Sequence, residues 1–288
     1  MKGERRQRLR VLVTGGGSGI GAAVVRRAAA GGHSVFAGGR RFDALRETVH
    51  KVDGGVWTLP LNVRDESSCQ AAIAAMVNAL SGVDVLICSA GVASAGAFEE
   101  TPIDEFKRVM DVNFLGVVRM AKAALPAMRE AGSGVIIAVS SLSGLIGLPG
   151  DSPYAASKFA LEGAFESLAP EIARFGVKVF LAEPGGVATE FMQDAVPSRA
   201  GESDVYRTFN DFLKNAGRGS GGADADVIAA EIVDLMENPI GPLRRPLGDQ
   251  ARSVASKLDM MSDEARAQFA LNAAGLAWWA NGDEPPRG

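Results

Sequence analysis

Short runs that are apolar at nearly every position alternate along this chain with longer stretches whose apolar residues recur every three or four positions. The runs fall near 9–14 (LRVLVT), 33–39 (HSVFAGG), 55–61 (GVWTLPL), 83–88 (VDVLIC), 133–140 (SGVIIAVS) and 177–183 (VKVFLAE). Helical patterns lie between them near 18–31, 41–52, 65–80, 102–131 and 152–176. A strand without a polar side has no solvent face. Six such strands separated by helices therefore predict a parallel sheet covered on both faces, the doubly wound α/β or Rossmann fold. A helix near 223–237 and a strand near 243–247 would bring the sheet to about seven strands. No Pro/Gly/Ser-rich linker precedes residue 190, so residues 1–288 read as one domain.

The pattern changes after the sixth strand. Residues 187–216 read as a helical region, and Gly217-Arg218-Gly219-Ser220-Gly221-Gly222 as a hinge. In a doubly wound sheet the ligand sits beyond the carboxyl ends of the strands, so 187–222 is expected to roof the pocket as a lid. Residues 249–281 read as a C-terminal extension of two helices, with the Trp278–Trp279 pair packed on the body. Pro170 should kink the 152–176 helix after Ala169.

Composition narrows the chemistry. With 47% hydrophobic and 22% charged residues the chain is of globular type, and a net charge of −4 argues against an electrostatic grip on nucleic acid or on an anionic membrane. No apolar run is long enough to span a bilayer. The basic residues Lys2, Arg5, Arg6, Arg8 and Arg10 read as a solvated leader rather than a signal peptide. Cys69 and Cys88 fall in a helix and a buried strand, which fits free thiols in a reducing compartment, with the cytoplasm as the expected location. His33 and His50 stand at no metal-ligand spacing, so no metal is expected, and no G-x-S-x-G elbow offers a serine to either. Proton transfer must use another base.

The first strand opens into Thr14-Gly15-Gly16-Gly17-Ser18-Gly19-Ile20-Gly21 and then a helix. Glycines permit the tight turn and close approach of a pyrophosphate, while the first helical N–H groups face the phosphates. An NAD-type site wants an acid at the end of the second strand. Here Gly39-Arg40-Arg41 stands instead, which favours the 2′-phosphate of NADP(H). Further along, Tyr154 and Lys158 lie one turn apart on one helical face. An ammonium beside a phenol favours the phenolate, so Lys158 is expected to lower the Tyr154 pKa from about 10.

Taken together, these residues resemble the short-chain dehydrogenases/reductases over about residues 9–247. The likeness rests on T-G-G-G-S-G-I-G, on Asn113 in Asp111-Val112-Asn113, on Ser141 thirteen positions before Tyr154, on Lys158, and on Pro184-Gly185-Gly186-Val187-Ala188-Thr189. The resemblance implies Tyr154 as proton donor or acceptor and Ser141 as hydrogen-bond partner of the substrate oxygen. It also implies Lys158 on the nicotinamide ribose and Asn113 as anchor of a water in the proton relay. Cofactor contacts are expected from Gly15, Gly17, Ser18, Gly19, Ile20, Gly21, Arg40, Arg41, Asn62, Val63, Ser89, Ala90, Gly91, Tyr154, Lys158, Pro184, Gly185, Val187 and Thr189.

Three departures from the family pattern stand out. Cys88-Ser89-Ala90-Gly91 replaces Asn-Asn-Ala-Gly and loses side-chain amide ties across the sheet. Asn62 replaces the aspartate that reads adenine, and Arg245-Pro246-Leu247-Gly248 replaces the Asp-Gly-Gly ending.

The expected function is that of an NADP(H)-dependent carbonyl reductase or alcohol dehydrogenase. The alternatives are a non-catalytic NADP-sensing module, or an epimerase or dehydratase of the same superfamily. Apolar residues of the lid and of the 142–148 loop (Leu142, Leu145, Ile146, Leu148) favour an uncharged ketone or secondary alcohol. Ala156, Ala160, Gly163, Ala164 and Ser167 form a stripe of small residues on the Tyr154 helix. Through the family resemblance, that stripe implies a homodimer or homotetramer paired on this helix and the one before the fifth strand.

Overall fold

A computed structural model describes residues 8–52, 54–189, 191, 196–197, 204–216 and 222–286. The first half runs β1 (Arg10–Thr14), α1 (Gly19–Ala30), β2 (Ser34–Gly39), α2 (Phe42–His50), β3 (Val56–Pro60), α3 (Glu66–Leu80), β4 (Val85–Cys88) and the short β5 (Ser94–Ala95). Then come α4 (Ile103–Met110), a π-helical turn (Asp111–Leu115), α5 (Gly116–Ala131), β6 (Gly134–Val139), α6 (Ser152–Ala173) and β7 (Val177–Pro184). The remainder comprises β8 (Val187–Ala188), β9 (Val196–Pro197), α7 (Arg207–Ala216), β10 (Ala223–Asp224), α8 (Ala225–Glu237), β11 (Arg244–Leu247), α9 (Asp249–Leu258), α10 (Asp263–Ala273) and α11 (Ala277–Asn281).

Seven strands form one parallel sheet in the order β11-β7-β6-β4-β1-β2-β3. Side chains alternate across each strand, and every strand near the middle is apolar on both sides. Leu12, Leu86 and Ile136 thus join one core with α3, α5 and α6, while Val11, Val13 and Ile137 join a second with α1 and α8. The chain reverses its direction of winding between β1 and β4, whose register runs Val11↔Val85 to Thr14↔Cys88. Such a switch point leaves a crevice at the strand carboxyl ends. This is the doubly wound Rossmann architecture expected from the pattern, with helices beyond β11 as a C-terminal extension.

Local expectations fare unevenly. Among the described residues of 187–216, Asp204–Tyr206, a 3₁₀ turn, and α7 are helical, whereas Val187–Ala188 pairs with Ala223–Asp224 and Val196–Pro197 with Ser94–Ala95. Residues 217–221 of the expected hinge lie outside the described residues. The 102–131 pattern divides at the π-turn, and the C-terminal extension contains three helices rather than two. Trp278 and Trp279 do pack inward, against Phe212, Phe209 and Tyr206 of α7 and the turn before it.

Pro170 does not break α6, which continues to Ala173. Proline there forfeits one hydrogen bond, to the Glu166 carbonyl, in the last turn, while buried Leu161, Phe165 and Ile172 hold the helix to the sheet. Cys69 and Cys88 are buried free thiols; burial pushes Cys69 up to about 11 and Cys88 further still. Among the described residues no helix is long and apolar enough to cross a membrane.

Candidate active site

A cleft of about 1220 Å³ runs along the carboxyl ends of the strands. At its first end the β1–α1 turn is shaped by conformations that a side chain would strain: φ is +70° at Gly15 and +51° at Gly19. A Cβ on Gly15 would stand 2.9 Å from Ala90 Cα, so the turn lies directly on the segment after β4. Thr14 joins the two, its hydroxyl accepting from the Ser89 and Ala90 N–H groups, both at 3.1 Å. That hydroxyl ties the ends of β1 and β4.

The start of α1 points its unpaired N–H groups toward the cleft, and the Arg41 guanidinium donates to Ser18 Oγ at 3.0 Å. Arg40 and Arg41 line the same end, with Asn62 beside them. The Asn62 carboxamide oxygen accepts from Arg64 N–H at 3.2 Å, which fixes its orientation. A glycine cradle, a helix N-terminus and two guanidinium groups are a donor set that fits the phosphates of a dinucleotide.

At the other end, Tyr154 and Lys158 stand in the first two turns of α6, held from behind by Asn113. The π-turn carrying Asn113 brings its carboxamide onto the loop after β4; such one-residue bulges often place functional groups. Asn113 is fully buried. Its oxygen accepts from Val92 N–H at 2.8 Å, and its nitrogen donates to Val92 O at 3.0 Å and to Ser157 Oγ at 3.1 Å. Ser157 in turn donates to the Tyr154 carbonyl at 2.7 Å.

Lys158 donates to Val139 O at 2.7 Å, and its ammonium lies 5.4 Å from the centre of the Tyr154 ring. Burial brings this ammonium down to about 8, with Glu162 and Asp151 pulling the other way. Ser141 Oγ accepts from Ser143 N–H at 3.1 Å and hydrogen-bonds the Tyr154 hydroxyl.

One expectation is reversed here. Burial pushes the Tyr154 phenol above its ordinary range; the Asp151 charge acts in the same direction, and only the Ser141 hydrogen bond lowers it. Lys158 sits against a carbonyl and over the ring rather than beside the hydroxyl. Desolvation of the phenolate therefore prevails.

Nearly all the residues expected at the site line this one cleft. Gly15, Gly17, Ser18, Gly19, Ile20, Arg40, Arg41, Asn62, Val63, Ser89, Ala90 and Gly91 form one end, and Ser141, Tyr154, Lys158, Pro184, Gly185, Val187 and Thr189 the other. Gly21 does not line it. A Cβ there would meet Gly15 O at 2.3 Å, so Gly21 serves the packing of α1 on its own turn. Asn113 likewise lies behind the wall, and each of its described bonds goes to a protein group.

Several lining residues escaped the sequence reading. Asp151 stands at the residue before α6, makes no side-chain capping bond there, and accepts from Ser143 Oγ at 3.1 Å; burial pushes it up to about 7. Phe191, by contrast, belongs to the apolar lid segment expected to roof the pocket, and it meets the Tyr154 ring edge-on at 5.7 Å. Gln250, Val254, Phe269 and Ala273 reach the cleft from α9 and α10. The position of Asp151 three residues before Tyr154 was a usable signal; nothing local to 249–273 says that it folds over the site.

The architecture is that of the doubly wound nucleotide-binding class. The chain matches the family model described as short chain dehydrogenase over residues 10–200. It is 32% identical over 271 residues to Oxidoreductase BOA17 of Botryotinia fuckeliana, a match covering 91% of this chain and 98% of that protein. Human 17-beta-hydroxysteroid dehydrogenase type 1 is 40% identical over 220 residues, covering 71% of this chain and 65% of that protein. The solved structure of a short-chain dehydrogenase from Streptomyces avermitilis resembles it with a TM-score of 0.79 at 31% identity, over 96% of this chain and 98% of that one. The chain belongs to the short-chain dehydrogenase family, a family of oxidoreductases that use nicotinamide cofactors, NAD or NADP.

Proposed function

We propose that this chain is an NADP(H)-dependent carbonyl reductase or alcohol dehydrogenase acting on an uncharged, apolar ketone or secondary alcohol. The observation that carries the reading is the meeting of Ser141, Tyr154 and Lys158 in one cleft with the glycine turn and the Arg40–Arg41 pair. A bound nicotinamide supplies the hydride chemistry. Tyr154 gives or takes the proton at the substrate oxygen through its hydroxyl, and Ser141 donates a second hydrogen bond to that oxygen. Lys158, held by Val139 O, presents a cation beneath the ring that stabilises charge developing on the phenol. Asn113 positions the first turns of α6 through Ser157. Arg40 and Arg41 hold the 2′-phosphate.

Apolar residues at the second end support an apolar substrate: Leu142, Ile146, Leu148, Phe191, Val254 and Phe269 all line it. A relative that acts on hydroxysteroids points the same way. In this reading the whole chain works as one domain, with 187–222 as the lid, in the cytoplasm.

Two copies pair on α5 and α6, as a homodimer or within a homotetramer. Ala156, Gly163 and Ser167 are exposed rather than packed on the chain's own sheet, and a shallow groove lined by Val118, Ala121, Leu125, Ala164 and Leu168 runs beside them. Light scattering on the native chain and on Ala164→Trp reads this pairing, and a monomeric native chain at micromolar concentration refutes it.

The test of the activity is a panel of ketones and secondary alcohols followed by NADPH and NADH absorbance. Turnover of apolar ketones with NADPH, abolished in Tyr154→Phe, supports the reading; turnover that survives this substitution overturns it.

A further inference from the structure

One buried acidic pair is unused by the mechanism above. Leu181 and Glu183 of β7, Ala138 of β6 and Arg244 of β11 point to the sheet face that α6 covers, as strand alternation requires, with Ser140 just beyond the end of β6. Glu162 meets them from α6, one turn after Lys158 and on the same helical face. Both carboxyls are deeply buried: Glu162 is 3% exposed and Glu183 is 1% exposed.

Arg244 donates through Nε to Glu162 Oε2 at 2.9 Å and through Nη2 to the exposed Glu166 at 2.9 Å, but its Nε stands 3.8 Å from Glu183. Among the described residues Glu162 Oε1 and both oxygens of Glu183 have no hydrogen-bond partner, and the two carboxyls stand around the same Arg244 guanidinium, whose Nε is 2.9 Å from Glu162 and 3.8 Å from Glu183. Two ionised carboxylates in that position would repel at short range in a desolvated interior, and the uncompensated oxygens would be costly. A proton between them removes both penalties.

We propose that Glu162 and Glu183 share one proton, and that the singly charged pair is a positioning device that keeps Lys158 protonated and in place under Tyr154. With Glu183 neutral, the buried Lys158 ammonium faces the buried Glu162 carboxylate, and Arg244 bridges from Glu162 to the exposed Glu166. Asp151 before α6 and Asp259 after α9 are the other carboxylates whose fields reach the set, and the Ser140 hydroxyl lies beside Glu162. Burial, then the Glu162 charge, push Glu183 up to about 8, which places the proton on Glu183 at neutral pH. Glu162 raises the Lys158 ammonium against the burial that lowers it. The positioning role rests on the proposed roles of Tyr154 and Lys158; the shared proton does not.

Three variants separate the possibilities. Infrared difference spectra of the native chain at neutral pH are expected to show the carbonyl stretch of a protonated carboxylic acid that vanishes in Glu183→Gln; a spectrum unchanged by the substitution overturns the shared proton whatever the enzyme's activity. In stability measurements the folded state holds the Glu183 proton that the unfolded chain releases near its ordinary pKa of about 4.5. The stabilisation is therefore complete below that value and is lost as pH rises through about 8. Glu183→Gln should flatten this slope, and an unaltered slope counts against the proposal.

For the positioning role, Glu162→Gln should move the Lys158 limb of the kcat–pH profile to lower pH. The expected loss is about tenfold above that limb for each unit moved. Glu183→Gln, which keeps a donor toward Glu162, should rescue the profile that Glu183→Leu disturbs. A native profile in Glu162→Gln overturns the positioning role, as does a Gln variant at 183 no better than Leu. If Glu162→Gln does not fold, the Gln-against-Leu contrast at 183 decides. Persistent activity in Tyr154→Phe would instead defeat the functional reading and leave the infrared result standing.

Discussion

The two ends of the cleft are built by different means. The end at β1, β2 and β3 consists mostly of backbone: a turn with Gly15 and Gly19 at positive φ, the first turn of α1, and Thr14 tying β1 to β4. Its parts lie within a few residues of strand ends, so a short motif specifies them. The end at Tyr154 consists of side chains from segments far apart in sequence: Asn113 behind, Ser141 and Tyr154 at the wall, Phe191 against the ring, and Phe269 from α10. A backbone-built site tolerates neighbouring side-chain changes but not the loss of a glycine. A side-chain-built site responds to each substitution separately.

The largest expected effect falls at the side-chain end. Tyr154→Phe keeps the ring against Phe191 and removes the hydroxyl, so turnover should drop by about 10² to 10⁴, the usual weight of general acid–base catalysis. Cofactor affinity, measured by quenching or calorimetry, should change little. A parallel loss of affinity would mean that the two ends are not separable.

At the backbone end, the Arg40→Ala/Arg41→Ala double variant should remove the preference for NADPH over NADH. Each charge-assisted bond contributes roughly 1.5–3 kcal/mol, on the order of tenfold or more in affinity. Equal affinities in the native chain would show that these arginines do not read the 2′-phosphate.

Gly21→Ala sharpens the contrast further. The added methyl meets a carbonyl oxygen at 2.3 Å and forces α1 away from its turn, so thermal unfolding should fall by an equivalent of about 1–3 kcal/mol. Phe269→Ala should give the smallest effect, a rise in KM for bulky apolar ketones worth roughly 1–3 kcal/mol, with small ketones nearly unaffected. Identical behaviour toward large and small substrates would remove α10 from the substrate end.

Legibility followed the same division. The six early strands were readable within two residues and the helices between them within three, because apolar runs and three-to-four-residue periodicity are local signals. The glycine turn and the arginine pair, which line one end of the cleft, were readable because their residues are adjacent in sequence. The commitment of Asn113 to Val92 and Ser157 was not legible; it depends on a π-turn, and an extra residue in a helical turn leaves no periodic trace. Reading 187–216 as helical failed at Val187–Ala188 and Val196–Pro197, which pair with strands elsewhere in the chain. That α6 runs on through Pro170 to Ala173 follows from the burial of Leu161, Phe165 and Ile172, which outweighs one lost hydrogen bond.

Sequence alone determined the parallel sheet, the glycine turn and the Tyr154–Lys158 spacing, since each follows from local periodicity or from residues a few positions apart. Only the tertiary structure decided the electrostatics of that pair. Whether a phenol titrates above or below its ordinary range depends on how much water burial removes and on where the nearest charges end up. Here burial and Asp151 outweigh a lysine that packs over the ring. The same holds for Glu162, Glu183 and Arg244, which come from a helix and two strands and meet because strand register and helix phase place them on one face. Contacts across such distances are set by the packing of whole elements, and no local pattern encodes them.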